Sequence, residues 1–133
     1  MDVYTLPYPP SVNTYWRHVG NRTLISRDGR AFRRKVCAML AADGASPVDG
    51  PLDVEIELYP PDRRRRDLDN CLKSSLDALE KGGAYYDDSQ IVRIVAEKRQ
   101  PVDGGRMIVR VRKHNKTSEK AEQEPWRNSS RRA

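Results

Sequence analysis

The sequence predicts an α+β fold with α/β-like character: one small domain whose mixed β-sheet of four to five strands carries two helices on one face. Three observations lead there. Leu52, Val54, Ile56 and Leu58 alternate with Asp53, Glu55 and Glu57, the pattern of a strand with one buried and one wet face. Two segments, 28–43 and 68–81, carry apolar residues at three- and four-residue spacing, the period of an amphipathic helix. The second lies between two strand-like runs, so 52–99 reads as strand, helix, strand, a single crossover connection. A length of 133 residues suits one domain with one modest core.

The elements follow in order. Val3–Leu6 is β-rich and stopped by Pro7, a first strand. Pro7, Pro9 and Pro10 predict a long extended loop through Asn13, Tyr15 and Trp16. Arg22–Ile25 is a second short strand. Ser26 and Asp28 then open a helix over 28–43, with Phe32, Val36, Met39 and Leu40 inward, and Gly44 ends it. The alternating strand 52–58 stops at Pro60-Pro61, and an arginine-rich loop follows. Leu68, Leu72, Leu76 and Leu79 mark the second helix, closed by Gly82-Gly83 after Lys81. Residues 84–90 are loop, 91–99 a strand, 101–105 a turn and 106–112 the last strand, giving the order ββαβαββ. Residues 113–133 lack apolar periodicity and predict a charged, disordered tail behind a domain of residues 1–112.

Composition narrows the chemistry. Charged residues make up 33% of the chain and hydrophobic ones 37%, with a net charge of +6. The tail holds six Lys/Arg against three Glu, so half of that excess lies there and residues 1–112 carry +3. A body so mildly basic directs attention to local clusters, Arg33-Arg34-Lys35 and Arg63 to Arg66, whose natural partner is a polyanion such as DNA or RNA. Cys37 and Cys71 read as free buried thiols without zinc-ligand spacing. No signal peptide, membrane span or nucleotide fingerprint occurs, so the expectation is a soluble intracellular protein without a membrane or nucleotide cofactor.

The run Asp62-Arg63-Arg64-Arg65-Arg66-Asp67-Leu68-Asp69-Asn70 concentrates the chemistry. Asp67 and Asp69 face one side if the backbone is extended there, and diverge by about 200° in a helix. Both can therefore hold one metal only if Asp67 precedes the helix, with Asp69 as a possible N-cap. Carboxylate oxygens suit Mg²⁺ or Mn²⁺. Asp87 and Asp88 are the natural outside supply, provided the loop after Gly83 runs back along the helix. Lys73 stands one turn beyond Asp69, where it can stabilise charge on a phosphoryl group. The arginines, Asn70 and the Arg33–Lys35 run would hold phosphate, and Tyr15, Trp16 and Arg17 could stack on bases or touch backbone. Each residue also has a plain structural reading: Asp69 as a cap, Lys73 paired with Asp69 or Asp77, Asp87-Asp88 as a turn, the arginines as a solvated loop. His18 and His114 have no partner at a telling spacing.

These residues resemble the RusA family of Holliday junction resolvases. PDRRRRDLDN at 61–70, Lys73, DALEKGG at 77–83, YYDDSQIV at 85–92, LPYPPSVNTYWRH at 6–18 and SRDGRAFR at 26–33 occur in that family's order and spacing. The resemblance spans residues 3–112. It implies a homodimeric, Mg²⁺-dependent endodeoxyribonuclease that cuts four-way DNA junctions by paired phosphodiester hydrolysis in recombination and repair, with Mn²⁺ as a substitute ion. It places metal-binding acids at Asp67, Asp69 and Asp88, Asp87 being the lesser candidate, and requires Lys73 for cleavage. It implies a bacterial or phage-encoded cytoplasmic protein and a preference for cutting beside a CC dinucleotide. Two other readings stand against it: a basic nucleic-acid-binding module without catalysis, and a metal-dependent nuclease for RNA or another branched substrate. Metal dependence separates the first from an enzyme, and substrate comparison separates the second.

Overall fold

A computed structural model describes residues 1–115. The elements are β1 (Asp2–Leu6), α1 (Val12–Tyr15), β2 (Trp16–Val19), β3 (Arg22–Ile25), α2 (Arg27–Ala42), β4 (Leu52–Tyr59), a 3-10 turn (Leu68–Cys71), α3 (Leu72–Lys81), a second 3-10 turn (Asp88–Gln90), β5 (Ile91–Lys98) and β6 (Arg106–Lys113). The mixed α+β class holds, with a four-stranded sheet in the order β1-β6-β4-β5. β4 runs parallel to β5, as expected of strands joined through a helix, and antiparallel to β6.

The main departure lies in the proline-rich segment. The sequence predicts a loop from 7 to 21, and the structure folds α1 and β2 out of it. Ser11 caps α1 by accepting a hydrogen bond from the Thr14 N–H. β2 then pairs antiparallel with β3 in a separate hairpin, turned at Gly20-Asn21 with Gly20 at φ 61°. The strand 22–25 is therefore not part of the main sheet, and the described residues hold three α-helices where two are predicted.

Alternation along β4 sorts the sheet's two faces. Leu52, Val54, Ile56 and Leu58 are buried, facing the same side as Met107, Val109, Val111, Tyr4 and Leu6 on the neighbouring strands. Phe32, Val36 and Leu40 from α2 and Ala78 and Leu79 from α3 complete this core. Cys71 is buried and Cys37 half-buried, both as free thiols. A Cβ at Gly82 would lie 2.5 Å from the Leu40 Cδ1 and 3.1 Å from the Ala78 carbonyl oxygen, so any larger residue there requires the buried Leu40 side chain to shift.

The opposite face is ionic. Arg110 donates to Glu57, Arg112 approaches Asp53 at 3.4 Å, and His114 Nδ1 lies 2.7 Å from the other Asp53 oxygen. Strand β6 thus runs one residue past the predicted boundary at 112. The predicted disordered tail lies outside the described residues from 116 onward. Arg110 first, then the Tyr59 hydroxyl, hold the Glu57 carboxyl below its usual value of 4.5. A carboxyl lowered by folding contributes stability that is complete above its unfolded value and lost as pH falls through the folded one. The urea midpoint is expected to drop as pH falls below 4.5. Glu57→Gln should flatten that drop; an unchanged slope would remove Glu57 from the cause.

Candidate active site

The site is laid out along α3, with one group of side chains at each end. Upstream of the helix, Pro60-Pro61 stop β4 and the chain turns through Asp62. The Arg64 N–H donates to Asp62 Oδ1 at 2.9 Å, and Arg66 Nη1 donates to the same oxygen at 2.6 Å. Arg66 first and the Arg64 N–H second hold the Asp62 carboxyl well below the usual carboxylate range. Arg66 also lies over the Tyr8 ring, 5.7 Å from its centroid. Arg66 is thereby committed to shaping the loop, while Arg63, Arg64 and Arg65 are exposed.

Asp67 follows in extended conformation (φ −85°, ψ 131°), outside the helix, the condition the sequence set for sharing a metal with Asp69. The helix start differs from expectation. Asp69 is not the N-cap; it sits inside the 3-10 turn that precedes α3, and Asp67 makes no side-chain cap. Both carboxylates are exposed and uncommitted to capping. Arg64, Arg65, Arg66, Asp67 and Asn70 line one cleft of about 590 Å³, together with Pro9, Pro10, Ser11, Asn13 and Thr14. Ser74 fixes that segment by donating to the Pro10 carbonyl at 2.6 Å. Lys73 is exposed one turn along and borders a neighbouring depression with Asn13, Trp16 and His18. Exposed Arg17 lies on the same hairpin strand as His18.

The basic run on α2 divides. Arg34 and Lys35 are exposed, whereas Arg33 turns inward. It donates to Asp77 at 2.7 Å and to the Tyr15 hydroxyl at 3.2 Å, and Tyr15 in turn donates to Asp77. Burial first, and then Asp77, push the Tyr15 hydroxyl up to about 12. Asp77 thus takes Arg33 as its partner, and Arg33 ties α2 to α3.

At the far end of α3, Gly83 (φ 87°) turns the chain, and the Ala84 N–H bonds back to the Leu79 carbonyl at 2.9 Å. Asp87 caps the second 3-10 turn by accepting from the Ser89 N–H at 2.8 Å. The Asp88 N–H donates to Glu80 Oε1 at 2.8 Å. Glu80, Asp87 and Asp88 offer ligand oxygens all within 4.8 Å of one another, and among the described residues no other set of three His, Cys, Asp or Glu does so. Partial loss of water first, then the Glu80 and Asp87 carboxylates, raise the Asp88 carboxyl above its usual value, with Lys73 opposing.

The structure therefore brings together Arg64, Arg65, Arg66, Asp67 and Asn70 in one cleft, and Asp87 with Asp88 in another place. It does not gather Asp67 and Asp69 with Asp88. Glu80 is the residue that sequence reasoning missed. Its signal was helical spacing: it follows Lys73 by seven residues and Asp77 by three, on one stripe of α3.

Arginines set beside exposed carboxylates on a small α+β domain supply the groups that a nuclease requires. The chain belongs to the endodeoxyribonuclease RusA family, which matches residues 7–112. It is 44% identical over 110 residues to the crossover junction endodeoxyribonuclease of Enterobacteria phage 82. It is 45% and 46% identical over 114 residues to the enzymes of that name from Escherichia coli K12 and Shigella sonnei Ss046. Each of these alignments covers 80% of this chain and 92% of the relative. No helix among the described residues is long and apolar enough to cross a membrane.

Proposed function

We propose that this protein is a divalent-metal-dependent endonuclease that resolves four-way DNA junctions as a homodimer. It would act in recombination and repair on the DNA of the bacterium or phage that encodes it. The observation that carries this reading is the cleft that holds Arg64, Arg65, Arg66 and Asp67 on one wall. Phosphate-binding groups and a carboxylate there face the same space. The relatives' names supply the junction as substrate.

The donor chemistry fits Mg²⁺, with Mn²⁺ as a substitute. Asp67, Asp69 and Asp88 offer only carboxylate oxygens, the ligands these hard ions prefer, and Asp87 is a lesser candidate. When bound, such an ion supplies Lewis acidity and a water of lowered pKa. The chain's own residues do the rest. Arg63, Arg64 and Arg65 grip the backbone beside the scissile bond, with Arg34, Lys35 and Arg17 extending the basic surface. Arg66 holds the loop in shape, and Asn70 presents its amide to the cleft. Lys73 stabilises negative charge that develops on the phosphoryl oxygens. Residues 1–112 constitute the catalytic unit, and the segment beyond is accessory. A four-way junction presents equivalent strands related by a two-fold axis, so a two-fold dimer matches it with paired sites.

The deciding experiment compares a synthetic four-way junction, linear duplex and single strands at equal salt, with Mg²⁺ and with EDTA. Junction cutting that requires the ion is the expected result. Cutting indifferent to EDTA, or equal cutting of linear duplex, would overturn the proposal.

A further inference from the structure

We propose that the depression between the β2–β3 hairpin and α3 receives an unstacked nucleobase, with Trp16 as its stacking platform. The inference rests on the junction-nuclease reading and adds to it a residue that contacts a base.

The first observation is how the hairpin sorts its side chains. Trp16 pairs with Ile25 and His18 with Thr23, whereas Arg17 pairs with Leu24 and Val19 with Arg22. Alternate residues of a strand share a face. Trp16, His18 and Thr23 therefore stand on one face, and Arg17, Val19, Arg22 and Leu24 on the other. The first face borders the depression: Trp16, His18 and Thr23 line it with Val12, Asn13 and Lys73, around about 520 Å³. A space of that size is in the range of small-ligand sites. His18 Nδ1 lies 3.2 Å from the Thr23 hydroxyl oxygen, which ties the imidazole across the hairpin. Of residues 15–17, Tyr15 is fully buried and Arg17 lies on the other face. Trp16 is the ring left to meet a base.

The second observation concerns Trp16 itself. Its ring meets Tyr15 edge to face, centroids 5.0 Å apart and planes at 84°, and it packs against the core while lining the depression. Its Nε1–H is buried and has no hydrogen-bond partner among the described residues. A phenylalanine would pack on Tyr15 without a desolvated, unpaired donor, so core packing alone does not account for the indole. A broad π-face that stacks on any base does account for it.

The third observation is location. Asn13 lines both this depression and the cleft of Arg64, Arg65, Arg66 and Asp67, so the two spaces adjoin. Lys73 is the one lysine or arginine bordering the depression. The occupant that suits both spaces is flat, stacks on an aromatic ring and is joined to a phosphate: a nucleotide. A cationic groove for the backbone beside an aromatic ring for the base is the arrangement that holds unpaired nucleic acid. The crossover of a junction interrupts the continuous stack of each arm, so a base next to it costs less to withdraw than one within a duplex.

The test is binding in EDTA, where no cutting intervenes. In a Trp126→Phe chain, Trp16 is the sole tryptophan. Its fluorescence should be quenched on titration with a four-way junction. The quench should vanish when one particular nucleotide beside the branch point is replaced by an abasic analogue. That abasic substitution should weaken binding by the wild-type chain about tenfold and binding by Trp16→Leu not at all. Trp16→Phe keeps a stacking ring and should stay sensitive to it, as should Leu24→Ser on the other face of the hairpin. A Trp16 that only packs gives no base-dependent quench, and Trp16→Leu then loses the same affinity for intact and abasic junctions; either result would overturn the proposal. If Trp16→Leu does not fold, the quench in the Trp126→Phe chain decides alone. If the wild type cuts no junction with Mg²⁺, the nuclease reading fails, and base-dependent quenching by a junction or a single strand still decides the pocket.

Discussion

Asp67→Asn, Asp69→Asn and Asp88→Asn are each expected to lower junction cutting about a thousandfold while leaving junction binding nearly unchanged. Asparagine keeps the size and hydrogen-bonding capacity of aspartate and removes its charge. Asp67 and Asp69 are exposed and cap nothing, so the fold does not depend on their charge. Asp88 is held through its backbone N–H by Glu80, a bond its own side chain does not make. Binding is assigned to the arginines, which these substitutions leave in place. Gel-shift affinity and single-turnover cutting, measured at one salt concentration, separate the two effects. Undiminished cutting by all three variants would refute the assignment of these acids to metal. Loss of binding in parallel with cutting would show that they shape the DNA surface instead.

The largest expected effect on stability comes from Leu79→Ala. Leu79 is fully buried between α3 and the sheet, and its carbonyl receives the Ala84 N–H that turns the chain toward Asp88. Truncation removes buried methyl groups and leaves a cavity that neighbouring helices fill only in part. The cost is about 2–5 kcal/mol. Urea unfolding at neutral pH checks it, and a loss under about 1 kcal/mol would mean that the core collapses around the gap. Because α3 spaces the two ends of the site, this variant should also lose cutting near its lowered melting temperature, where Asp67→Asn would not change melting.

The arrangement along α3 explains why the Asp62–Asn70 run cannot be judged as a unit. Its four arginines are identical in sequence, yet the structure uses them differently. Arg66 is bound to Asp62 and stacked on Tyr8, while Arg63 and Arg65 remain exposed. The same division separates Arg33 from Arg34 and Lys35. Arg33 takes a partner distant in the chain, Asp77, which a scan of neighbouring residues cannot find, whereas Arg66 takes Asp62, four residues back, and adds the distant Tyr8 ring. The β2–β3 hairpin was hidden for a related reason. Three prolines dominate the local signal before it, and only the Gly20-Asn21 pair hinted at a turn.

Features that repeat on a short period were legible in the residues alone. The alternation of β4, the helical spacing of α2 and α3, and the glycines after Lys81 mark elements whose bounds the structure moves by a residue or two, except that α3 starts four residues late, after a 3-10 turn over Leu68–Cys71. The acids, arginines and lysine of the DRRRRDLDN region were recognisable as a metal-and-phosphate constellation from residue type and spacing alone. Which charges are spent internally, the company of Glu80 with Asp87 and Asp88, and the division of the acids between the two ends of α3 follow from the folded arrangement. The physical reason is range. Secondary structure follows backbone sterics and local burial pattern, which neighbours set. The placement of Asp88 depends on a turn, a 3-10 cap and one hydrogen bond to Glu80, which are fixed only when α3 has docked on the sheet.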